Sequence, residues 1–162
     1  QPGKFKIVVE NDVAVIKERS DIIRYTATSK VIPYHPSSLP TIISNDFDRN
    51  TRQGVIKFTT YVASIGEMAF SGCSGLTSIN IPNSVINIGD VAFANCALTS
   101  ITIPNSVTNI GVSAFLSCRS LTSVTIGNSV ESIEDRAFQN CSGLTSITIG
   151  DSVESIGSET FH

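Results

Sequence analysis

The sequence has little charge and few of the side chains that dominate tight binding sites. Of its 162 residues, 15% are Asp, Glu, Lys or Arg, there is no Trp, and only three are Tyr. The formal net charge of −3 argues against a nucleic-acid partner, which would need a basic patch. No apolar run approaches the roughly 18 residues of a membrane helix, and the first residues show no signal-peptide pattern. An export signal or membrane anchor would therefore lie outside this sequence.

Catalytic motifs are also missing. The two histidines, His35 and His162, have no motif beside them, and the chain lacks a phosphate-binding loop, a dinucleotide fingerprint, a GxSxG elbow and an HExxH pair. Residues 46–50, DFDRN, copy the first part of an EF-hand loop, but Thr51 stands where that loop needs Gly and Lys57 where it needs Glu. We therefore predict no enzyme, no metal site and no cofactor.

What the sequence does contain is a repeat. Five valines recur at an almost constant interval, with a single step shortened by one position: Val62, Val85, Val107, Val130 and Val153. The same register carries four further apolar columns: Ile65, Ile88, Ile110, Ile133 and Ile156; Phe70, Phe93, Phe115, Phe138 and Phe161; Cys73, Cys96, Cys118 and Cys141; and Leu76, Leu98, Leu121 and Leu144. This interval, combined with Leu-x-x-Ile-x-Ile spacing, is typical of a leucine-rich repeat.

The final Ile-x-Ile of each unit predicts a strand with both apolar side chains directed inward. Each unit would supply one strand, and the stacked units would form a repeat solenoid, a right-handed leucine-rich repeat coil with a parallel β-sheet and few or no long helices. One unit cannot fold alone, because its apolar burial does not offset the entropy of ordering its backbone. Contacts between neighbouring units therefore account for the repetition of the apolar residues.

The chain divides into three predicted segments. Residues 62–162 form about 4.5 coils, and residues 39–61 a degenerate capping repeat, because stepping back by one period finds apolar matches. These matches are Leu39, Ile42, Phe47, Ile56 and Phe58. Residues 1–38 are predicted as a small β-rich N-terminal cap and linker, with a hairpin that turns near Thr28 to Lys30. Charge supports a division near Tyr61, since residues 1–61 carry +3 and residues 62–162 carry −6.

The segment SVINIGDVAFANCALTSITIPNSV, residues 84–107, represents a pattern that recurs from Val62 to Phe161. It resembles the BspA-like leucine-rich repeats of bacterial surface proteins, which are similar to the treponemal repeat type. The stretches IIRYTATSKVIPY and GVIKFTTYVASIGEMAF resemble the segment that precedes such repeats in gut Bacteroidales proteins. The resemblance implies an exported, extracellular protein attached to the cell surface and used for adhesion to host or neighbouring cells.

Four cysteines in an exported chain first suggest disulfides. Their spacing of one per repeat unit instead places each one in the same inward column, where a thiol behaves as a small hydrophobe. Stacked side chains point in parallel rather than toward each other, which disfavours a bridge. We expect free thiols, with disulfides as the alternative, and a zinc site would need a C-x-x-C spacing that is missing.

The outward positions of the predicted strands form a candidate binding face of eight polar residues. They are Ser78, Asn80, Ser100, Thr102, Ser123, Thr125, Ser146 and Thr148. Such a face suits an extracellular protein or glycan ligand, although Ser and Thr also suit any solvated strand. Because Trp is absent and the three Tyr all precede residue 62, we expect contacts that are weak singly and summed over many coils or copies.

Two functions compete at this point. The first is a cell-surface adhesion module, and the second is a structural spacer that projects another domain. Binding to ice through Thr arrays is a third and weaker hypothesis, since Ser alternates with Thr. The sequence ends at His162, half a coil short of a further strand. Either the natural protein continues, or the last predicted strand, at residues 144–149, leaves an exposed edge that permits self-association.

Overall fold

The structure, a computed structural model, describes the backbone of residues 5–10 and 13–18 and all of residues 21–33 and 38–162. Within those ranges the chain forms fourteen β-strands and no α-helix. The front of the chain contains β1 (Phe5–Glu10), β2 (Val13–Glu18), β3 (Ile22–Ala27), β4 (Ile42–Asp48) and β5 (Gln53–Phe58). Strands β1 and β2 pair antiparallel from Phe5 opposite Glu18 to Glu10 opposite Val13. Of the predicted linker YHPSSLP at residues 34–40, residues 34–37 lie outside the described residues.

From residue 62 onward the chain is a β-solenoid with parallel strands. One set of strands is short: β6 (Ser64–Ile65), β8 (Asn87–Ile88), β10 (Asn109–Ile110), β12 (Ser132–Ile133) and β14 (Ser155–Ile156). The other set comprises β7 (Leu76–Ile79), β9 (Ser100–Ile103), β11 (Ser123–Ile126) and β13 (Ser146–Thr148). The short strands form a five-stranded parallel sheet, and β9, β11 and β13 form a second parallel sheet.

The solenoid confirms the predicted fold class, but the prediction of one strand per coil is wrong. Each complete coil supplies one short strand and one long strand; the long strands β9, β11 and β13 share a sheet, whereas β7 pairs with β3. The second strand was missed because two residues are too few to show the alternation that identifies a strand in sequence. Its Ile was nevertheless predicted to point inward, and the Ile65, Ile88, Ile110 and Ile133 side chains are all buried.

Repeated apolar columns fill the space between the two sheets. The rings of Phe93, Phe115 and Phe138 stack nearly parallel, with centroids 5.2 and 5.0 Å apart. The column continues to Phe70 at 5.4 Å and to Phe161 at 5.7 Å. Burial of this column and of the Ile and Leu columns supplies the contacts between coils that a single coil lacks.

Each coil turns a corner through residues with a left-handed backbone. One such position recurs at Met68, Val91, Ser113, Arg136 and Glu159, with φ between 54° and 58°. A second recurs at Gly72, Asn95, Ser117 and Asn140, with φ between 57° and 73°. Gly and Asn adopt this conformation at little cost, whereas the β-branched Val91 is strained there. The corners therefore follow the repeat even where the residue type does not favour them.

The cap sheet, which we define as strands β4, β5, β3 and β7 in that order, joins the front of the chain to the solenoid. Strand β3 is antiparallel to β5 on one side and to β7, the first long strand of the solenoid, on the other. The predicted hairpin between residues 22–27 and 30–34 is therefore wrong. Both edges of β3 are already occupied, and residues 30–33 form no strand.

Residues 39–61 differ in one respect from the predicted degenerate coil. The matched side chains Leu39, Ile56 and Phe58 are buried in the common core. Strand β5, however, pairs antiparallel with β4 instead of adding a parallel strand beside β7, because β3 lies between them. The boundaries of the three predicted segments remain a prediction.

A hydrogen-bonded cluster closes the inner side of the cap sheet. The Tyr25 hydroxyl donates to Asn45 Oδ1 at 3.0 Å and accepts the Val31 N–H at 3.3 Å. The Asn45 Nδ2 in turn donates to the Val31 carbonyl at 2.7 Å. The Tyr25 ring stacks on Phe47 with centroids 6.1 Å apart, and it lies where a Cβ on Gly54 would be, 2.0 Å from Cζ. Glycine at position 54 is therefore what admits the ring.

Candidate functional site

The eight predicted face residues lie at the outward positions of the long strands. Ser100, Ser123 and Ser146 are in register on adjacent strands, and so are Thr102, Thr125 and Thr148. Ser78 and Asn80 hold the equivalent positions at β7. Seven of the eight are exposed, and Ser123 is half-buried. The arrangement gives two parallel lines of polar side chains, which we call the serine row and the threonine row.

A different set of threonines, whose role was not predicted, holds the coils together. Each hydroxyl donates to the backbone carbonyl of the preceding rung: Thr77 to Thr26, Thr99 to Thr77, Thr122 to Thr99 and Thr145 to Thr122, at 3.0, 3.4, 2.9 and 3.1 Å. These hydroxyls are engaged within the protein. The sequence signal was their recurrence directly before the serine of every coil.

The two rows continue onto the cap sheet. Thr26 lies opposite Ser78 and Gln53 lies opposite Thr26, which extends the serine row by two strands. The Asn80 N–H donates to the Arg24 carbonyl at 2.9 Å, so Arg24 extends the threonine row. Arg24 and Thr26 were not predicted as part of this face; the alternation within IIRYTA is a signal that they share one side of a strand, but it does not indicate which strand they pair with.

A groove lies where the cap sheet meets the second coil. Strand β7 pairs with β3, whereas β9 pairs with β11. A hydrogen bond of 3.1 Å, from the Thr99 N–H to the Thr77 carbonyl, joins β7 to the residue before β9. The groove encloses about 360 Å³. Its polar lining comprises Arg24, Thr26, Gln53, Ser78, Asn80, Ser100 and Thr102. Four predicted face residues thus share one concavity with three from the cap.

A second, shallower depression of about 430 Å³ follows the end of the threonine row. It runs from Asn80 past Thr102 and Thr125 to Thr148, and the turns that follow the strands form its floor. In these turns the Asn128 N–H donates to Asn105 Oδ1 at 2.8 Å. This bond joins two successive turns along the stack, and the threonine hydroxyls and the turn asparagines Asn83, Asn105 and Asn128 are the repeated polar groups on this surface.

The cysteine column belongs to the core and not to the candidate site. The Cys96, Cys118 and Cys141 thiols are buried, and each donates to the carbonyl of the Phe in the preceding coil at 3.1 to 3.2 Å. Burial raises the pKa of the Cys118 thiol to about 12 and that of Cys141 to about 11. The prediction of free, inward-facing thiols is confirmed for these three, while Cys73 is free but only half-buried.

The last coil is more open than those before it. Ile149, Ile156 and Phe161 are 37%, 49% and 46% exposed, whereas their equivalents in the middle coils are buried. Self-association through this end stays a prediction. In the described part of the chain, no helix is long and apolar enough to cross a membrane, and no three His, Cys, Asp or Glu side chains converge as metal ligands would.

The comparison with family models agrees with the leucine-rich repeat fold. A family model, the BspA type leucine-rich repeat region, matches residues 40–162 in six copies. A comparison with curated proteins gave no significant match.

Three solved structures of bacterial proteins are similar to the chain. A leucine-rich repeat protein from Bacteroides ovatus has 29% identity over 60% of this chain and 31% of that one, with a TM-score of 0.45. A leucine rich cell surface protein from Faecalibacterium prausnitzii has 29% identity over 69% of this chain and 39% of its own, with a TM-score of 0.45. A leucine-rich repeat protein from Bacteroides capillosus has 22% identity over 100% of this chain and 94% of its own, with a TM-score of 0.41. The chain spans less than half the length of the first two. Because the family model covers most of the sequence, the chain belongs to the family of BspA-type leucine-rich repeat proteins.

Proposed function

We propose that this protein is a binding or adhesion module of a bacterial cell surface, which recognises an extracellular protein or glycan through the serine and threonine rows. The observation that carries the proposal is the alignment of Ser100, Ser123 and Ser146 beside Thr102, Thr125 and Thr148 on adjacent strands. The repeat family supports a scaffold role without catalysis. The name of the Faecalibacterium relative supports a location at the cell surface.

The chemistry of the rows sets the expected strength of binding. A single hydrogen bond contributes about 0.5–1.5 kcal/mol net, and the rows offer no aromatic anchor of the kind found at tight interfaces. One ligand group per coil would therefore bind weakly, and several coils together would bind usefully. Many copies on one cell would raise the avidity further without any new contact.

The test is a paired substitution on the rows with a matched control. Thr102→Gln/Thr125→Gln covers two adjacent rungs with longer neutral side chains, while Ser120→Gln/Ser142→Gln adds the same groups at exposed turn positions away from the rows. Binding of each variant to immobilised matrix proteins and a glycan array is measured by surface plasmon resonance. We expect the first variant to lose at least about tenfold in affinity and the second to match the wild type. Equal binding by all three would exclude the rows.

A structural spacer is the second candidate, and the continuity of the phenylalanine column from Phe70 to Phe161 favours it. A stack held by one contact repeated in every coil can be lengthened without redesign. If the protein is only a spacer, adhesion of the cells that carry it depends on the number of coils and not on the rows. Duplicating one internal coil and, separately, introducing Thr102→Gln/Thr125→Gln distinguishes the two roles.

A further inference from the structure

We propose that Arg24 anchors a carboxylate of an acidic polysaccharide that lies along the serine and threonine rows. This inference rests on the proposed function and adds to it the chemical class of the ligand and the place where that ligand is held. Arg24 lies at the cap end of the threonine row, in the groove of about 360 Å³ between the cap sheet and the second coil.

Among the described residues, one charged side chain lines the groove. Of the described residues that line it, Arg24 alone is charged at neutral pH, and the others offer hydroxyl, amide and aliphatic groups and the Tyr25 ring. No carboxylate among the described residues lies within ion-pair distance of Arg24, since the one ion pair found there joins Arg136 to Glu159. Asp46, the acidic residue of the same row, is separated from Arg24 by the whole of strand β5.

The guanidinium is not needed for the strand pairing at this position. Arg24 pairs through its backbone, with its carbonyl accepting the Asn80 N–H and its Cα opposite that of Val55. The side chain, on the outward face of β3, is half-buried, and its planar fork matches a carboxylate with two parallel hydrogen bonds. Gln53, Ser78 and Ser100 line the same groove and supply further donors. In the part of the chain that the structure describes, the groove is therefore a donor-rich concavity with one positive charge.

The regularity of the rows selects a polymer with identical units. Successive coils are about 5 Å apart, as the spacing of the Phe rings shows, and each coil presents the same Ser and Thr pair. A peptide is recognised through dissimilar pockets for its different side chains. Identical rungs with no apolar pocket instead match a chain whose hydroxyl groups recur at a constant interval. A polysaccharide with carboxylated sugars combines that recurrence with a group for Arg24.

The net charge of the protein opposes the binding of polyanions. At −3 overall, the chain repels a polyanion in general, so a preference for a carboxylated ligand requires a local cation. The repeat segment that carries the rows is more acidic than the front of the chain, at −6 against +3. Binding of the acid form should therefore depend on Arg24 and not on the field of the whole protein.

The experiment compares oligogalacturonate with its methyl ester, which keeps the sugar and removes the charge. Four proteins are titrated by isothermal calorimetry at low ionic strength: wild type, Arg24→Gln, Arg24→Lys and Arg119→Gln. Arg119 is exposed in a turn away from the groove, so its substitution makes the same change in net charge. Circular dichroism and thermal melting verify that each variant folds.

We expect the wild type and Arg119→Gln to bind the acid form at least about tenfold more tightly than the ester. Arg24→Gln should bind both forms alike, and Arg24→Lys should recover part of the preference, since it restores the charge without the fork. Equal losses in Arg24→Gln and Arg119→Gln would overturn the inference, as would a wild type without any preference for the acid.

Polyglutamate and a panel of matrix proteins complete the design. Polyglutamate bound as tightly as oligogalacturonate, with the same sensitivity to Arg24→Gln, would overturn the assignment to a polysaccharide in favour of an acidic peptide. Matrix-protein binding that needs Thr102 and Thr125 but is indifferent to Arg24 would overturn this inference and leave the proposed function intact. Binding of nothing on either panel would overturn both.

Discussion

The solenoid and the cap sheet share one hydrophobic core but are stabilised in different ways. In the solenoid each contact recurs from coil to coil, as the Phe stack and the thiol-to-carbonyl bonds show. In the cap each contact occurs once, as in the cluster formed by Tyr25, Asn45 and Val31. Repetition produces the regular rows on the outside, and the unique cap extends them with different residues and adds a groove and a charge.

This difference shows how the two regions divide their roles. A repeated contact makes stability depend on position along the stack, because a middle coil has two neighbours and an end coil has one. A unique contact makes stability depend on a single cluster that nothing else can replace. Four substitutions or conditions test the contrast, in order of decreasing expected effect.

The largest effect is expected for Phe115→Ala in the middle of the column. It removes two ring stacks, at 5.2 and 5.0 Å, and leaves a cavity, which should lower the free energy of unfolding by about 3–5 kcal/mol. Phe161→Ala at the end removes one stack from a ring that is 46% exposed and should cost only about 1 kcal/mol. Urea denaturation measures both, and equal losses would contradict the dependence on position.

Next is Tyr25→Phe in the cap, which removes the hydroxyl that joins Asn45 to Val31. The Val31 N–H would lose its partner inside the protein, so the free energy of unfolding should fall by about 1–3 kcal/mol. The matched control is Tyr61→Phe, because the Tyr61 ring is largely exposed and its loss of a hydroxyl should be almost neutral. A neutral Tyr25→Phe would show that the cluster contributes nothing to the cap.

A smaller effect comes from alkaline pH acting on the thiol column. Burial raises the pKa of Cys118 to about 12, above its value in the unfolded chain, so the folded chain binds more protons above about pH 9. The contribution of this thiol is fully present below about pH 8 and falls as the pH rises, by about 1 kcal/mol per pH unit. Urea titrations at pH 7, 9 and 10 should therefore show a steeper loss for the wild type than for Cys118→Ala.

Titrating groups outside the thiol column are common to both proteins, so their effects cancel in that comparison. Cys96 and Cys141, whose pKa values are also raised by burial, remain in the variant and keep part of the slope. Identical slopes for the wild type and Cys118→Ala would mean that Cys118 is not protonated in the core.

The smallest effect, and the only one expected to stabilise, is Val91→Asn. Val91 has φ of 58°, a conformation that costs a β-branched residue about 1–2 kcal/mol and that Asn tolerates. We expect a gain of about 0.5–1 kcal/mol in the free energy of unfolding. Ile86→Asn, at an exposed position of the same coil without a left-handed backbone, is the control and should not stabilise. A loss of stability in Val91→Asn would show that the Val91 side chain contributes more than its backbone costs.

The sequence predicted the solenoid well because packing imposes it directly. The Phe and Ile columns, the inward cysteines and the outward positions of Ser100 or Thr125 all follow from one period and one alternation. The position of β3 could not be predicted in the same way. Its apolar side chains fit any buried sheet, and its two partners, β5 and β7, are distant from it along the chain.

The amino-acid sequence by itself determined the repeat, because identical units can bury their apolar side chains only against one another. It also determined which side chains alternate outward. Only the tertiary structure decided where the repeat stops and what borders the rows. Strands pair through backbone hydrogen bonds, which are the same for almost every residue type, so the sequence does not specify the partner. By inserting between β5 and β7, β3 brings Arg24 to the end of the threonine row, and that contact between distant parts of the chain creates the groove.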